Sequence, residues 1–450
     1  MTRRYLFLSG LLLLALLGSI TAVQAQAVVD LTVTITQNAN VRSGPGADFD
    51  RVGVAARGTA MRLDGRIESG EWVRGITERG VVGWVVSGVT GLGISDIISL
   101  RIINQGTPFT LSAPAGAPQP AQSDAPAGPP DADIAPVNNT APVRGFSYGG
   151  HMAGFEESAF NWMRYSGMTW IKKQWRYVDG QDPQAAADWI NIAHANGFRI
   201  LLGVVGQSPN DLNNPGYFDR YAGFVAGLAR LGVDAIEIWN EPNIDHEWPA
   251  GQISPARYTE LLRVSYNAIK NANPNTLVIS GAPAPTGAEA AFPGRVMNDD
   301  NFLAGMAAAG AANYMDCVGV HYNEGIVPPT WTSGDPRGNS EYYTRYLRRM
   351  MDVYYNAFRG RKPLCFTELG YLTPEGLGPL PPNFLWAENT SLAEQAAWLD
   401  GAINIAARSG RVRLLIVWNI NFTNYGADPM AGFAIVRPGN TCPACDALAN

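Results

Sequence analysis

The feature that most limits the fold of this chain is a repeated alternation of two kinds of segment after residue 143. Short apolar segments with the length of β-strands alternate with longer segments in which apolar residues recur at helical spacing. The strand-like segments cover residues 144–149, 169–175, 198–205, 235–239, 277–281, 317–321, 364–367 and 412–418. Helical patterns lie between them, for example at residues 185–195, 217–231, 255–271, 341–358 and 392–407. Strands separated by helices pair in parallel through right-handed crossovers, so eight such units in about 300 residues predict an α/β fold, a (β/α)8 TIM barrel over residues 144–450.

An open, doubly wound sheet is the main alternative to a closed barrel. Such a sheet usually carries a glycine-rich phosphate-binding loop after its first strand. Gly145, Gly149, Gly150 and Gly154 lie near the first predicted strand, but their spacing does not match G-x-G-x-x-G. The eighth helix is the weakest unit of the predicted barrel, because only residues 442–449 offer a short closing helix after the last strand.

Composition excludes two classes of protein. The 450 residues carry 39 acidic and 33 basic side chains, a formal charge of −6, with no basic block, which argues against nucleic acid as a partner. A hydrophobic content of 46% with 12 tryptophans is too apolar for a disordered chain. Charged residues make up only 16%, as expected if buried parallel strands form much of the chain.

The N-terminus has the pattern of a secretory signal peptide. Arg3 and Arg4 precede an apolar run at residues 5–17, and small residues follow as far as Ala27. This order predicts a signal over residues 1–26 that is cleaved from an exported protein, either secreted and extracellular or held at the cell surface. An uncleaved membrane anchor is the alternative, although the run is shorter than the ~20 residues of a spanning helix. No stable membrane span is expected after cleavage.

A second region, residues 31–100, alternates apolar and polar residues in short runs between glycine-rich turns. Short strands with tight turns predict a small β-barrel. The segments Asn40-Val41-Arg42-Ser43-Gly44-Pro45, Gly58-Thr59, Gly65-Arg66, Glu71-Trp72 and Gly83-Trp84-Val85 resemble, in this order, the bacterial SH3-like family. That resemblance implies binding to a cell wall or another surface ligand, and a passive spacer is the alternative. Pro, Ala and Gly dominate residues 104–143, which predicts a linker between this region and the barrel.

The sequence contains four cysteines. Cys442 and Cys445 form a C-P-A-C pair, for which a small local disulfide is expected in an exported chain. A redox site would need a thioredoxin-like βαβ context, and a zinc site would need more ligands nearby. Cys317 and Cys365 lie inside apolar runs and are expected to be buried thiols with a packing role.

Two glutamates follow predicted strands at their carboxyl ends, where barrel enzymes place their reactive groups. Glu241 follows the fourth strand in Ile238-Trp239-Asn240-Glu241-Pro242-Asn243, and Glu368 follows the seventh in Cys365-Phe366-Thr367-Glu368-Leu369-Gly370-Tyr371. They are 127 residues apart, about 42 for each of three βα units, which places them across the barrel mouth from each other. Such a pair suits the cleavage of a glycosidic bond, because one carboxyl group donates a proton to the leaving oxygen while the other attacks the sugar or activates water.

The same two segments resemble the paired motifs of clan A glycoside hydrolases, especially families 5 and 39, and the resemblance spans the barrel domain. It implies that Glu241 is the general acid/base, that Glu368 is the nucleophile and that Asn240 binds the 2-hydroxyl group of the sugar. The clan retains anomeric configuration through a covalent glycosyl-enzyme. The resemblance therefore implies double displacement at β-O-glycosidic bonds of a poly- or oligosaccharide.

Residues at the ends of the sixth and eighth predicted strands are expected at the site from the same resemblance. His321 and Tyr322 end the sixth strand, where the clan often has a His-x-Tyr element beside the nucleophile. Here the two are adjacent, so which of them faces the site stays open. Trp418 ends the eighth strand and resembles the floor under the reacting sugar, because an indole face matches the C–H face of a pyranose. A tryptophan of the core is the alternative.

Cations near the end of the second strand form a further part of the resemblance. The clan commonly places a cation there that lowers the pKa of the nucleophile, and Arg176 and Lys173 are the candidates. The two side chains point to opposite faces if the strand continues unbroken to Arg176. Of the two candidates, Arg176 is slightly favoured over Lys173. His151, just after the first strand, either contacts substrate or packs in its loop.

No cofactor or metal is expected, because the four histidines are scattered and the sequence has no phosphate loop or nucleophile elbow. The expected partner is a carbohydrate substrate, together with a cell-wall or surface ligand for the small β module. A surface protein that binds a glycan without cleaving it and an enzyme directed to the cell wall are the alternatives. The sugar, the linkage and the choice between endo and exo cleavage depend on loop shape rather than on the carboxylate pair.

Overall fold

The computed structural model describes residues 145–449 without interruption. It also describes residues 30–103 apart from positions 37, 47–48, 68–70, 93–96 and 98–99, and three positions at 107, 109 and 111. The predicted signal peptide lies outside the described residues, as does nearly all of the predicted linker. Within the described residues, no helix is long and apolar enough to cross a membrane. The chain divides into two compact units, Met1–Pro120 and Ala121–Asn450.

The N-terminal unit is an antiparallel sheet. Its strands are β1 (Leu31–Thr34), β2 (Ala39–Arg42), β3 (Arg51–Ala55), β4 (Ala60–Arg66), β5 (Trp72–Thr77) and β6 (Val82–Val86). They are ordered β1-β4-β5-β6-β2-β3. Inward-facing residues such as Val41, Leu63 and Val73 form an apolar core within this unit. The sequence prediction of a small β domain built from short strands is confirmed.

The C-terminal unit contains eight parallel strands that close into a barrel. These are β7 (Ser147–His151), β8 (Trp170–Tyr177), β9 (Arg199–Gly206), β10 (Ala235–Ile238), β11 (Leu277–Ser280), β12 (Val318–Tyr322), β13 (Leu364–Leu369) and β14 (Val412–Val417). They pair in the order β11-β10-β9-β8-β7-β14-β13-β12. A parallel bridge between Ile279 and Cys317 joins the two ends of the sheet. The predicted (β/α)8 TIM barrel is confirmed, and the alternative prediction of an open, doubly wound sheet is wrong.

Helices follow the strands in turn and cover the outside of the barrel. They are α1 (Glu157–Tyr165), α2 (Ala187–Ala195), α3 (Tyr217–Arg230), α4 (Pro255–Ala272), α5 (Asp299–Ala308), α6 (Leu347–Ala357) and α7 (Leu392–Arg408). After β14 come two short helices, α8 (Met430–Phe433) and α9 (Pro443–Leu448). Helix α9 packs against α7 and α1, which confirms the short closing helix predicted near the C-terminus.

Local sequence signals explain where several helices begin. Ser254 accepts a hydrogen bond from the Arg257 amide at the start of α4, and Ser391 and Glu394 form a capping box at the start of α7. Helix α6 begins later than predicted, because residues 343–345 form a 3-10 turn and Tyr346 has extended backbone angles. The predicted start at residue 341 was therefore wrong by six residues.

The barrel interior changes from apolar to charged toward the carboxyl ends of the strands. Its lower layer is a cluster of buried residues, namely Trp170, Leu201, Ala235, Leu277, Ile279, Cys317, Cys365, Leu414 and Ile416. Side chains alternate along a strand, so Lys172 and Glu237 lie two residues beyond Trp170 and Ala235 on the same inner face. Both are fully buried. The charged layer therefore rests on an apolar floor.

The four cysteines form two disulfides. Cys442 pairs with Cys445 at the start of α9, which confirms the predicted local disulfide. Cys317 pairs with Cys365, so the prediction that these two are free thiols was wrong. Cys317 directly precedes β12 and Cys365 lies in the neighbouring strand β13, which brings their Cα atoms to 5.8 Å, within the range of a disulfide.

Candidate active site

Glu241 lies just past strand β10 in a turn of unusual backbone conformation. Trp239 and Glu241 both have positive φ angles, 73° and 41°, which are sterically costly for residues other than glycine. The Glu241 amide donates to the carbonyl of Ala282, which follows β11. Asn243 is fully buried; it accepts from the Ala284 amide at 2.7 Å and donates to the carbonyls of Ala284 and Met297 at 2.9 Å each. These bonds hold the strained turn against the loop after β11.

Glu368 lies near the end of strand β13 and is buried inside the barrel mouth. Its Oε1 atom lies 3.3 Å from Nζ of Lys172, and its Oε2 atom accepts a hydrogen bond of 3.1 Å from Nδ2 of Asn323. The residue is 8% exposed. A register shift between Val320 and His321 places His321 directly beside Glu368 on the neighbouring strand.

The imidazole of His321 lies between the two predicted catalytic carboxylates. Its Nδ1 atom is 3.0 Å from Oε1 of Glu241, and its Nε2 atom is 3.9 Å from Oε1 of Glu368. One ring therefore links a carboxylate that follows the fourth barrel strand to one on the seventh. The sequence prediction had left open whether His321 or Tyr322 faces the site, and the structure places His321 there.

Tyr322 points away from Glu368. Its hydroxyl donates to the carbonyl of Arg345 at 3.1 Å, and its ring meets that of Tyr371 edge to face. The expectation that Tyr322 contacts the nucleophile is therefore wrong, because alternation along β12 turns this side chain toward the helices. Asn323, one residue further, supplies the hydrogen bond to Glu368 instead. Sequence reasoning missed Asn323, although its position two residues after His321 would have indicated it.

The cation beside Glu368 is Lys172, which the sequence prediction did not name. Strand β8 continues unbroken to Tyr177, so Lys173 and Arg176 point to opposite faces as expected for an unbroken strand. Lys173 faces the helices: its Nζ donates to the carbonyl of Ala153 and lies 4.5 Å from the ring centre of Trp189. The prediction that Lys173 serves the nucleophile is wrong, because Lys172 has the inward phase of Trp170.

Arg176 has the inward phase but lies at the rim, where its side chain is 47% exposed. It pairs with Glu247 at 3.3 Å and not with Glu368, so the favoured assignment of the cation was also wrong. Glu247 accepts a long hydrogen bond of 3.5 Å from Nδ2 of Asn240. Burial raises the pKa of Glu247, although the charge of Arg176 acts in the opposite direction. Oδ1 of Asn240 is buried and has no hydrogen-bond partner among the described residues.

An aromatic group borders the site at the end of strand β14. The half-buried ring of Trp418 meets the ring of His151 edge to face at 4.9 Å and lies 5.0 Å from that of Phe422. The Trp418–Asn419 peptide bond is cis. His151 is buried, and burial together with the charges of Lys172, Lys173 and His321 lowers its pKa well below the ordinary value. The neutral His151 ring therefore packs beside Trp418.

The charged groups of the site shift one another's pKa values. Burial alone would raise the pKa of Glu368, but the charges of His321 and Lys172, with hydrogen bonds from Lys172 and Asn323, hold it below its ordinary value. Burial opposes the charged form of His321, yet Glu368 and Glu241 raise the pKa of its ring. Likewise, burial would lower the pKa of Lys172, but Glu237 and Glu368 raise it. The site thus holds an ionised Glu368 beside a permanent cation.

The arrangement places one carboxylate, that of Glu368, in a fixed position and leaves the other, that of Glu241, more exposed to solvent. The Glu241 side chain is 26% exposed, against 10% for Glu368. In the part of the chain that the structure describes, no group of three or more His, Cys, Asp or Glu residues is arranged to hold a metal ion.

No protein-family model and no curated protein matches the sequence. Among solved structures, a family 39 glycoside hydrolase from Bacteroides cellulosilyticus WH2 is 17% identical, with a TM-score of 0.48, and the match covers 93% of this chain and 76% of that one. A glucosidase from Croceicoccus marinus is 14% identical over 70% and 68% of the two chains, with a TM-score of 0.45. An endo-1,4-β-mannanase from Rhizomucor miehei is 14% identical over 68% and 95%, with a TM-score of 0.42. Similarity this low does not assign the chain to a family.

Proposed function

We propose that this protein is a retaining glycoside hydrolase that cleaves β-O-glycosidic bonds of a poly- or oligosaccharide. The observation that carries the proposal is the placement of Glu241 and Glu368 on either side of His321 at the carboxyl end of a closed barrel. Two carboxyl groups in different surroundings are the machinery that glycosidic cleavage requires.

In the first step, an ionised oxygen of Glu368 attacks the anomeric carbon of the sugar. A C–O ester bond forms to Glu368 as the glycosidic C–O bond breaks, and the protonated carboxyl group of Glu241 gives its proton to the leaving oxygen. Lys172 and Asn323 hold the attacking carboxylate in a fixed orientation. This fixed geometry removes much of the entropic cost of the attack.

In the second step, water replaces the leaving group at the anomeric carbon. The Glu241 carboxylate takes a proton from the water as the water oxygen attacks the anomeric carbon. The ester bond to Glu368 breaks, and the sugar leaves with its original configuration. Glu241 is the more solvent-exposed of the two carboxyl groups, which suits a group that must meet water. Asn240 and Trp418 are assigned to the sugar, because Asn240 directly precedes Glu241 in the chain and Trp418 has a half-buried indole face at the end of β14.

Replacement of each glutamate by alanine tests the two roles. We expect Glu368→Ala to abolish hydrolysis and azide to restore turnover with a glycosyl azide of inverted configuration. Glu241→Ala should slow most those substrates whose leaving group needs a proton, and azide should give a product of retained configuration. Glu260→Gln, on the exposed face of α4, is the control and should behave as wild type.

Labelling gives an independent test and identifies the sugar. A panel of 2-fluoro-glycosides should trap an ester on Glu368, and mass spectrometry of the labelled peptide locates it. Inactivity against a broad β-glycoside panel, with glycan binding that survives loss of both glutamates, would contradict catalysis and favour a glycan-binding surface protein.

We further propose that the protein is exported and that its N-terminal β domain is an SH3-like module for a cell-wall or surface ligand. The motifs between Asn40 and Val85 support this assignment, as does the pattern of a signal peptide at the N-terminus. Purified sacculi should retain the full chain and release a chain that lacks residues 31–100. Equal retention of both chains would leave this module as a spacer.

A further inference from the structure

A third carboxylate, Glu237, lies beneath the proposed catalytic pair and has no role in the two steps described above. It is fully buried on strand β10. Its Oε2 atom lies 3.1 Å from Nζ of Lys172, and its Oε1 atom accepts a 2.6 Å hydrogen bond from Oγ1 of Thr367. Lys172 is therefore held between two carboxylates, Glu237 below and Glu368 above.

The neighbouring strand leaves room for this pair. A Cβ atom at Gly203 on β9 would lie 3.2 Å from Oε2 of Glu237 and 3.3 Å from Cε of Lys172. At these distances the ion pair would have to shift by a few tenths of an ångström to make room for a side chain. The absence of a side chain at Gly203 thus keeps the Lys172–Glu237 pair in place inside the barrel.

The charge of Glu368 changes during the proposed reaction, whereas that of Glu237 does not. In the glycosyl-enzyme, Glu368 is an ester and carries no charge. If Glu237 were absent, Lys172 would then be a buried ammonium group without a counter-ion, which is a costly arrangement. Glu237 still faces the ammonium group in that state and compensates its charge.

We propose that Glu237 is a positioning residue that acts as the permanent counter-ion of Lys172 and stabilises the glycosyl-enzyme. This inference rests on the function proposed above. Lys172 pairs with Glu368 while Glu368 is ionised. While Glu368 is esterified, Glu237 balances the charge of Lys172, so Lys172 stays charged and in place for the second step.

The charge of Glu237 acts on several titratable groups nearby. His321 on β12 lies 3.9 Å from its Oε1 atom. The hydroxyl groups of Tyr221 and Tyr258 have pKa values raised mainly by burial and in part by Glu237. The other titratable groups around this cluster include Lys172, Glu368, Glu241, His151, Glu247, Tyr354 and Asp428. Removing one negative charge should lower the pKa of His321 and of Glu368 together.

The decisive variant is Glu237→Gln, which keeps the shape and removes the charge. We expect the pKa of His321 and the acid limb of the kcat/KM profile both to move down by about one pH unit, as for a charge removed within ~4 Å. The rate of labelling of Glu368 by a 2-fluoro-glycoside should fall at least tenfold. Thr367→Val removes a hydrogen bond to Glu237 but no charge. It should therefore leave the pKa of His321 and the acid limb of the kcat/KM profile close to those of wild type.

His321 can be followed without any enzyme assay. Carbon-13 labelling of the four histidines gives separate NMR titration curves, assigned by single replacements. If Glu237→Gln shifts the His321 curve but no variant cleaves any glycoside, the proposed function fails while the charge coupling stands. If wild type is active and Glu237→Gln leaves the His321 curve and pH profile unchanged, the inference is overturned.

Glu237→Asp covers the case in which the Gln variant does not fold. Aspartate keeps the charge but withdraws it from Lys172 by one methylene group. We expect a shift of the same sign that is smaller than that of Gln, with a partial loss of labelling rate. A folded Asp variant with wild-type titration and wild-type labelling would also overturn the inference.

Discussion

Glu241 and Glu368 have identical side chains in different surroundings. Lys172 and Asn323 hold the carboxylate of Glu368, which is 10% exposed, whereas His321 contacts that of Glu241, which is 26% exposed. Fixed donors suit a group that must be ionised to attack, and access to solvent suits a group that exchanges protons. Differences in environment, rather than in residue type, therefore distinguish the two proposed roles.

Lys172→Met should damage both stability and activity. The replacement leaves Glu237 and Glu368 buried without their cation, so we expect the free energy of unfolding at pH 7 to fall by about 3–5 kcal/mol in urea titrations. The folded-state pKa of Glu368 should rise above its unfolded value. A carboxyl group with a raised folded pKa destabilises the fold at high pH, so the deficit relative to wild type should shrink as the pH falls toward about 4.

Lys173→Met is a matched control for that prediction, because it makes the same chemical change one residue away. Lys173 loses a cation–π contact with Trp189 and a hydrogen bond to Ala153, outside the barrel interior. We expect a smaller loss of about 1–2 kcal/mol and an unchanged acid limb of the activity profile. Equal effects of the two replacements would contradict the assignment of Lys172.

His321→Gln should remove a pH dependence of stability at neutral pH. The pKa of His321 is raised in the fold, despite its burial, by Glu368 and Glu241. The stability that this residue adds is therefore fully present below its unfolded pKa of about 6.5 and is lost as the pH rises through the folded value. The free energy of unfolding, measured between pH 6 and 9 by urea, should fall with pH more steeply in wild type than in the variant. The reverse order of slopes would show that the imidazole is neutral in the fold.

At the scale of structural elements, the turn that carries Glu241 is held by one asparagine. Asn243→Ala removes three hydrogen bonds to the loop after β11, at about 1 kcal/mol each, so we expect a loss of about 3 kcal/mol in the free energy of unfolding. Loosening of the turn should also lower kcat/KM by at least tenfold. Asn404→Ala, on the exposed side of α7, should change neither quantity.

The two disulfides should differ in their effect on stability. Cys317–Cys365 closes a loop with a sequence separation of 48 and links β12 to β13, whereas Cys442–Cys445 spans only 3. Chain-entropy arguments give about 4 kcal/mol for the first and about 2 kcal/mol for the second. We expect the double Cys→Ala variants to lose stability in that order in urea titrations. A larger loss at the C-terminal pair would contradict the argument from loop length.

The order of strands and helices could be predicted because it depends on the period of apolar residues, which the chain displays directly. The phase of β8 could not, since Lys172 and Lys173 are adjacent and identical, and a slip of one residue exchanges the two faces of a strand. The register shift before His321 is a property of pairing between β12 and β13. The pairing of Cys317 with Cys365 likewise depends on which strands are neighbours.

At the scale of the whole molecule, the low charge content hides a local concentration of charge. Only 16% of the residues are charged, yet Lys172, Glu237 and Glu368 are all buried within one layer of the barrel. Buried ion pairs of this kind add little net stability compared with apolar packing, and sequences retain them where function requires them. Composition could predict the apolar character of the barrel but not this layer, which forms only when distant strands meet.

The two units of the chain each bury an apolar core of their own, one within residues 33–100 and one within residues 152–445. We therefore expect a protein made of residues 144–450 to fold alone and to match the full chain in kcat/KM on soluble substrates. Its melting temperature by calorimetry should lie within about 2 °C of the barrel transition in the full chain, which corresponds to about 1.3 kcal/mol for a domain of about 300 residues. A larger drop would show that the barrel draws stability from the N-terminal unit, and a lower kcat/KM on soluble substrate would show that this unit contributes to catalysis itself.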